Sequence, residues 1–231
     1  MSKTTIPTGG ITADAINGTL IADDAINSEH YTDGSIDTAH IGDDQVTAAK
    51  ATGVGGLAFI QAQTVTSDTT TVNFNTVFSS TYDNYLFIFD ATLKNAAQLE
   101  MRYRTGSPSD ANYTASNTYR YSFSGGDSNG GNVSQSSNAN VKWTMGDTVY
   151  AATNIGAPAI HGVIHFNTPF TSGKQRTWTG TFVCYDDGDE QRAFSGGGRI
   201  VNSQQMTGFG FSCSSGDFTE FTGRVYGVVD S

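Results

Sequence analysis

Positive charge is scarce in this chain. Its 12 lysines and arginines stand against 22 aspartates and glutamates, a formal net charge of −10. Binding to phosphate backbones rests on Lys and Arg, so nucleic acid and anionic membrane surfaces are not expected partners. Cysteine is nearly absent. Cys184 and Cys213 are too few for a disulfide framework, and both alternate with aromatic residues, so they read as small buried apolar side chains. No run is long and apolar enough to span a bilayer, and Met1-Ser2-Lys3-Thr4-Thr5 is not a charged-then-apolar leader. Membrane insertion is therefore not expected. No convincing helical periodicity occurs anywhere, which leaves an all-β chain.

What the chain does have is a repeat. Residues 11–50 fall into four decads, ITADAINGTL, IADDAINSEH, YTDGSIDTAH and IGDDQVTAAK. Ile11, Ile16, Ile21, Ile26, Tyr31, Ile36, Ile41 and Val46 recur every five residues, and Ile6 extends the series backwards. Asp14, Asp24 and Asp44 sit two before the second apolar position, with Gly34 the exception. A five-residue spacing fits neither a helix nor a strand, so neither holds this stripe on one side. A single-chain pentapeptide solenoid would bury those aspartates unpaired. The favoured reading places a cap-like residue (Asn17, Asn27, Asp37, Thr47) before a single turn, and a tight turn or extended step at Asp33-Gly34. Three identical chains around one axis then stack the apolar column, acids outward. His30 and His40 share a decad column; exposure is expected there rather than a ring of metal-binding imidazoles on the axis.

These decads resemble the stalk repeats of tailed-bacteriophage fibres, especially those of cyanophages and other marine phages. The quoted stretches are IPTGGITADAINGTLIADDAIN and YTDGSIDTAHIGDDQVTAAK, about a fifth of the chain. The C-terminal FTGRVYGVV is similar to the closing strand of β-sandwich heads in such proteins, a shorter match. The resemblance implies a homotrimeric stalk with a β-rich head, attachment to a virion and to a host surface, and no cofactor. It carries no catalytic motif.

After the decads, KATGVGG (50–56) breaks the period, and alternation of period two takes over. The expected organisation is a virion-docking end at 1–10, a stalk at 11–50, a hinge at 51–56 and a head at 57–231. In the head, strands are expected at 58–66, 69–74, 85–93, 99–104, 119–123, 141–145, 160–166, 177–185, 206–213 and 218–229, from runs rich in Thr, Val and aromatic residues. Residues 85–93, YLFIFDATL, are apolar on both faces and read as a central strand. Ser124 to Asn140 is Gly, Ser and Asn and reads as a long surface loop; Gly196-Gly197-Gly198 reads as a turn. The sum is an antiparallel β-sandwich of jelly-roll type.

Chemical motifs are thin. Gly126-Asp127-Ser128-Asn129-Gly130 matches G-x-S-x-G, but the nucleophile elbow needs a strand before it and a helix after it. His161 and His165 follow with no supporting fold. Asp186-Asp187-Gly188-Asp189-Glu190 lacks EF-hand spacing and reads as a solvated hairpin turn, and neighbours on one turn seldom face each other across a sugar cleft. Sequons at Asn17, Asn112 and Asn132 carry no weight without a leader. The expected binding surface is loop-borne, with Tyr113, Tyr119, Trp143, Tyr150 and Tyr185 as receptor-contact candidates among small polar residues. The expected function is therefore that of a non-enzymatic phage tail fibre. Its trimeric stalk would join other virion proteins at the N-terminus, and its head would bind host glycan or protein. The protein would be assembled in the host cytoplasm and carried on the virion. The alternative is a capsid decoration or tail adaptor with no receptor role. A depolymerising tailspike is disfavoured by the missing parallel-β-helix pattern.

Overall fold

The computed structural model describes residues 7, 9–12, 21, 26, 31–36, 39–42, 45–46, 56–95, 97–105, 111–112, 119–140, 142–145, 160–185, 190–201 and 204–229. The chain divides into two units, Met1–Thr52 and Gly53–Ser231, parted within KATGVGG.

In the first unit the described backbone turns repeatedly. The Ser35 amide donates to the Thr32 carbonyl at 3.0 Å, and Gln45 to Gly42 at 3.2 Å, one decad apart. Gly34 takes φ 78° in the first of these turns, a left-handed conformation that glycine adopts without steric cost. The turn expected at Asp33-Gly34 is thus present. Ile11, Ile21, Ile26, Tyr31, Ile36, Ile41 and Val46 are all exposed in the single chain, so these members of the apolar column do not line the inside of a coil. Ile16, His30, Asp14, Asp24, Asp44 and the four expected cap residues lie outside the described residues.

The second unit is all-β, and no helix occurs among the described residues. Its strands are β1 (Leu57–Val65), β2 (Thr71–Phe74), β3 (Asn84–Leu93), β4 (Leu99–Thr105), β5 (Ala111–Asn112), β6 (Tyr119–Asp127), β7 (Asn132–Asn140), β8 (Trp143–Met145), β9 (Ile160–Asn167), β10 (Arg176–Tyr185), β11 (Gln191–Ile200), β12 (Gly208–Cys213) and β13 (Phe218–Val228). A large antiparallel sheet runs β1-β13-β3-β9-β10-β11-β6-β7, and a small one runs β2-β12-β4-β5, with β8 also paired to β4.

Alternation builds the sandwich. In β3 the odd-numbered residues Tyr85, Phe87, Phe89, Ala91 and Leu93 are buried and the even-numbered ones point away. Strands β9, β10 and β13 repeat the pattern on the large sheet, and Leu99, Met101 and Tyr103 face them from β4. Rings from the two sheets meet across the middle. Phe87 packs on Phe209 at 4.9 Å, Phe166 on Phe209 at 4.7 Å, and Trp178 on Trp143 at 4.7 Å between centroids. Each such pair adds about 0.5–1.5 kcal/mol beyond the area it buries.

Several glycines face inward opposite those rings because nothing larger fits. A Cβ at Gly162 would lie 2.2 Å from Phe89 Cε1, one at Gly180 2.5 Å from Phe182 Cζ, and one at Gly198 2.7 Å from Trp178 Cζ2. Arg176 is fully buried at the start of β10. Its guanidinium donates to the carbonyls of Pro169, Lys174 and Thr171, tying the β9–β10 connection to the sheet.

Four sequence expectations need correction. The expected loop Ser124–Asn140 is instead the end of β6, a turn and the edge strand β7. Its small polar side chains hide a ladder that backbone groups alone can make. Gly196-Gly197-Gly198 lies in the middle of β11, not in a turn. Strand β3 is central, but its outer face is open: Ile88 is 40% exposed and Leu86 half-buried. Tyr119 and Trp143 belong to the core, at 1% and 0% exposure. Both cysteines are free. Cys184 is buried as expected; Cys213 is half-buried, and burial pushes its thiol up to about 12, helped by Asp217 and Glu100.

Candidate functional site

Of the site residues named from sequence, the described ones do not form one surface. Tyr119 and Trp143 face inward, the Tyr119 hydroxyl accepting a hydrogen bond from the Tyr103 amide at 2.9 Å. Tyr185 is half-buried at the end of β10. Tyr113 and Tyr150, like Asp186 to Asp189, lie outside the described residues. Ser128 occupies the exposed β6–β7 turn with no helix after it, and His161 pairs through Nδ1 with Asp90. The nucleophile-elbow match has no catalytic setting there. No metal-holding cluster of His, Cys, Asp or Glu occurs among the described residues.

An open surface lies on the outer face of the large sheet. A shallow trough of about 330 Å³ crosses it, lined by Val163, His165, Thr179, Thr181, Ser195 and Gly196. Strand register explains why these residues meet. Thr179 lies opposite His165 on β9 and Gly197 on β11, and Thr181 lies opposite Val163 and Ser195. Their rows continue onto β6 and β7 as Gly197–Ser122–Ser136 and Ser195–Ser124–Ser134. At the middle of β10, β11 and β6 the outward residues are thus Thr179, Thr181, Ser195, Gly197, Ser122 and Ser124, while the residues between them face the core. The result is a low floor of exposed hydroxyls, each able to donate one hydrogen bond and accept two.

This floor carries no negative charge. Among the described residues, the outward positions of β9, β10, β11, β6 and β7 hold no aspartate or glutamate, in a chain with 22 of them. On the strands beyond β9 the same face is bulkier: Phe59 is 61% exposed and touches Tyr226 edge-on at 5.8 Å, with Leu57 and Ile88 also exposed.

Sequence reading missed the trough because it is made of Ser, Thr and Gly, residue types that also mark loops. The available signal was period two in polar residues: Thr177, Thr179 and Thr181; Ser122 and Ser124; Ser134 and Ser136.

No family model, no curated protein and no solved structure matches the chain.

Proposed function

We propose that the chain is a virion attachment fibre whose β head binds a saccharide on the host surface through the trough and its hydroxyl floor. The arm is read as a trimeric stalk joined to other virion proteins through its N-terminus, as the decad resemblance implies. The observation that carries the receptor reading is the open face of β10, β11 and β6, which offers many small hydrogen-bonding groups. Sugars present dense hydroxyls, and a flat array of donors and acceptors complements them without a deep apolar pocket. No step of bond making or breaking is assigned to the protein.

The test is adsorption of the fluorescently tagged full chain to a panel of cyanobacterial and other marine bacterial cells. Ser195→Trp, which fills the trough from an exposed position, is expected to fold and to lower adsorption at least tenfold. Unchanged adsorption would remove the trough from the binding surface. A second reading, an appendage whose head touches only other viral proteins, draws on the exposed Leu57, Phe59 and Ile88, since grouped apolar side chains mark protein contacts. Under that reading Phe59→Ser weakens incorporation into particles and leaves cell adsorption at background for both forms.

A further inference from the structure

At one end of the hydroxyl floor, Arg199 of β11 lies directly opposite Arg120 of β6 in the antiparallel register. Both occupy outward positions, Arg120 exposed and Arg199 half-buried. Like charges placed directly opposite on neighbouring strands destabilise a sheet. No carboxylate stands beside this pair: the described outward residues of β11, β6 and β10 hold none, and Asp90 and Glu220 lie beyond β9 on β3 and β13. Thr177 is the partner of Arg199 on β10. Arg199 Nη1 donates to the Gln175 side-chain oxygen at 2.6 Å, which orients one guanidinium without neutralising it. The Arg120 side chain has no hydrogen-bond partner among the described residues. The other titratable groups of the face are His165 on the trough wall, Tyr185 at the end of β10, Arg224, Tyr226 and the exposed Glu220 on β13, and the His161–Asp90 pair, which is already joined.

We propose that this arginine pair holds the acid group of an anionic saccharide whose neutral rings lie along the trough. The inference rests on the receptor reading above and narrows it to a ligand class. Guanidinium groups bind carboxylate and phosphate oxygens through paired N–H donors, and two of them side by side match one anionic group better than they match each other. Along β11, Arg199 is two residues from Gly197 and four from Ser195. At about 3.4 Å per residue the guanidinium pair therefore begins within roughly 7–14 Å of the trough, in line with it. An acidic, extended oligosaccharide fits that layout. In a protein of net charge −10, a local cationic end also offsets the repulsion that an anionic ligand meets.

The experiment uses the full chain against three immobilised probes: polygalacturonate, poly(glycerol phosphate) and neutral dextran. Binding is read by interferometry at low and at physiological salt. The wild type is expected to bind at least one anionic polymer over dextran, and more weakly as salt rises. The choice between polygalacturonate and poly(glycerol phosphate) tells carboxylate from phosphate. Arg120→Gln with Arg199→Gln is expected to lose at least tenfold of that binding, and to melt roughly 1–3 °C higher because the repulsion is gone. Arg224→Gln, on the same face but away from the pair, is expected to bind as the wild type does. Equal binding by the double variant, no wild-type preference for either anionic polymer, or a lower melting temperature in the double variant would each overturn the assignment. Cell adsorption is scored separately. If it survives in the arginine variant but fails in Ser195→Trp, the receptor reading stands and the acid site falls. If the wild type does not adsorb to any cell, the receptor reading falls, while the polymers still decide the acid site.

Discussion

Arg176 shows how much a single side chain organises here. It is buried, and the three carbonyls it serves at Pro169, Lys174 and Thr171 belong to one connection. Arg176→Met keeps the apolar stem and removes those donors. Leaving a buried carbonyl such as that of Pro169 unpaired costs about 1–3 kcal/mol, and the half-buried and exposed ones at Thr171 and Lys174 less because water reaches them, so a loss of about 2–4 kcal/mol is expected, seen as a lower urea midpoint. At Gly162 the opposite holds: adding one methyl group is harmful, because its Cβ would meet the Phe89 ring at 2.2 Å. Gly162→Ala should cost about 1–3 kcal/mol by overpacking, measured the same way. Two weak acids, Tyr103 in the core and the half-buried Cys213, also make stability fall at alkaline pH. Burial raises the Tyr103 hydroxyl well above its ordinary 10, and the Cys213 thiol to about 12 from 9. Above pH 9 the unfolded chain releases protons that the folded chain retains, so folding weakens as pH rises from 9 towards 12. Cys213→Ser should flatten the first part of that decline in melting temperature between pH 9 and 10. The native thiols should react slowly with alkylating reagents at pH 8.

At the scale of the element, strands with apolar alternation were legible and strands without it were not. Residues of β3, β4, β9, β10 and β13 announce themselves because large apolar side chains occupy every second place. Strand β11 does not, because Gly196 and Gly198 stand where the pattern requires an inward side chain. Their space is taken by the rings of Phe123 and Trp178 from the neighbouring strands, so the missing bulk belongs to other elements. Tyr119, Tyr121 and Phe123 were recognised as alternating, yet Tyr119 and Trp143 also suggested a surface; ring chemistry alone does not say which face a residue takes. The β6–β7 hairpin was hidden by Ser and Asn, and its closure is local. Asp127 Oδ1 accepts from the amides of Asn129 at 3.0 Å and Gly131 at 2.7 Å, while Gly130 turns the chain at φ 85°. Asp127→Ala should therefore loosen the hairpin by about 1–2 kcal/mol. Amide exchange in β7 should quicken, with that in β3 unchanged, because β7 is an edge strand bonded to β6 alone.

For the whole molecule, assembly turns on the arm. Its described column residues are exposed in one chain, and burying an Ile side chain is worth roughly 1.5–3 kcal/mol. Under the proposed trimer each layer counts that gain three times. Sedimentation of the wild type is expected to give three chains. Ile26→Asp would bring three carboxylates together near the axis, desolvated and unpaired, and should release monomers or fray the arm. Asp24→Ala, outward under the same trimer proposal, should not. A monomeric wild type, or a trimeric Ile26→Asp protein with an ordered arm, would sink the axial column.

The alternation along β6, β10 and β11 separates two kinds of change. Phe123, Trp178, Phe182 and Phe194 point one way and are held by each other; Ser122, Thr179, Thr181 and Ser195 point the other way and support nothing beneath them. Inheritance can therefore edit the outer set one residue at a time without renegotiating the inner one. A library randomised at those four outward positions should remain largely folded, whereas the same diversity at the four inward positions should be mostly lost. A surface of that kind can follow a moving target across generations, with its scaffold left as it was.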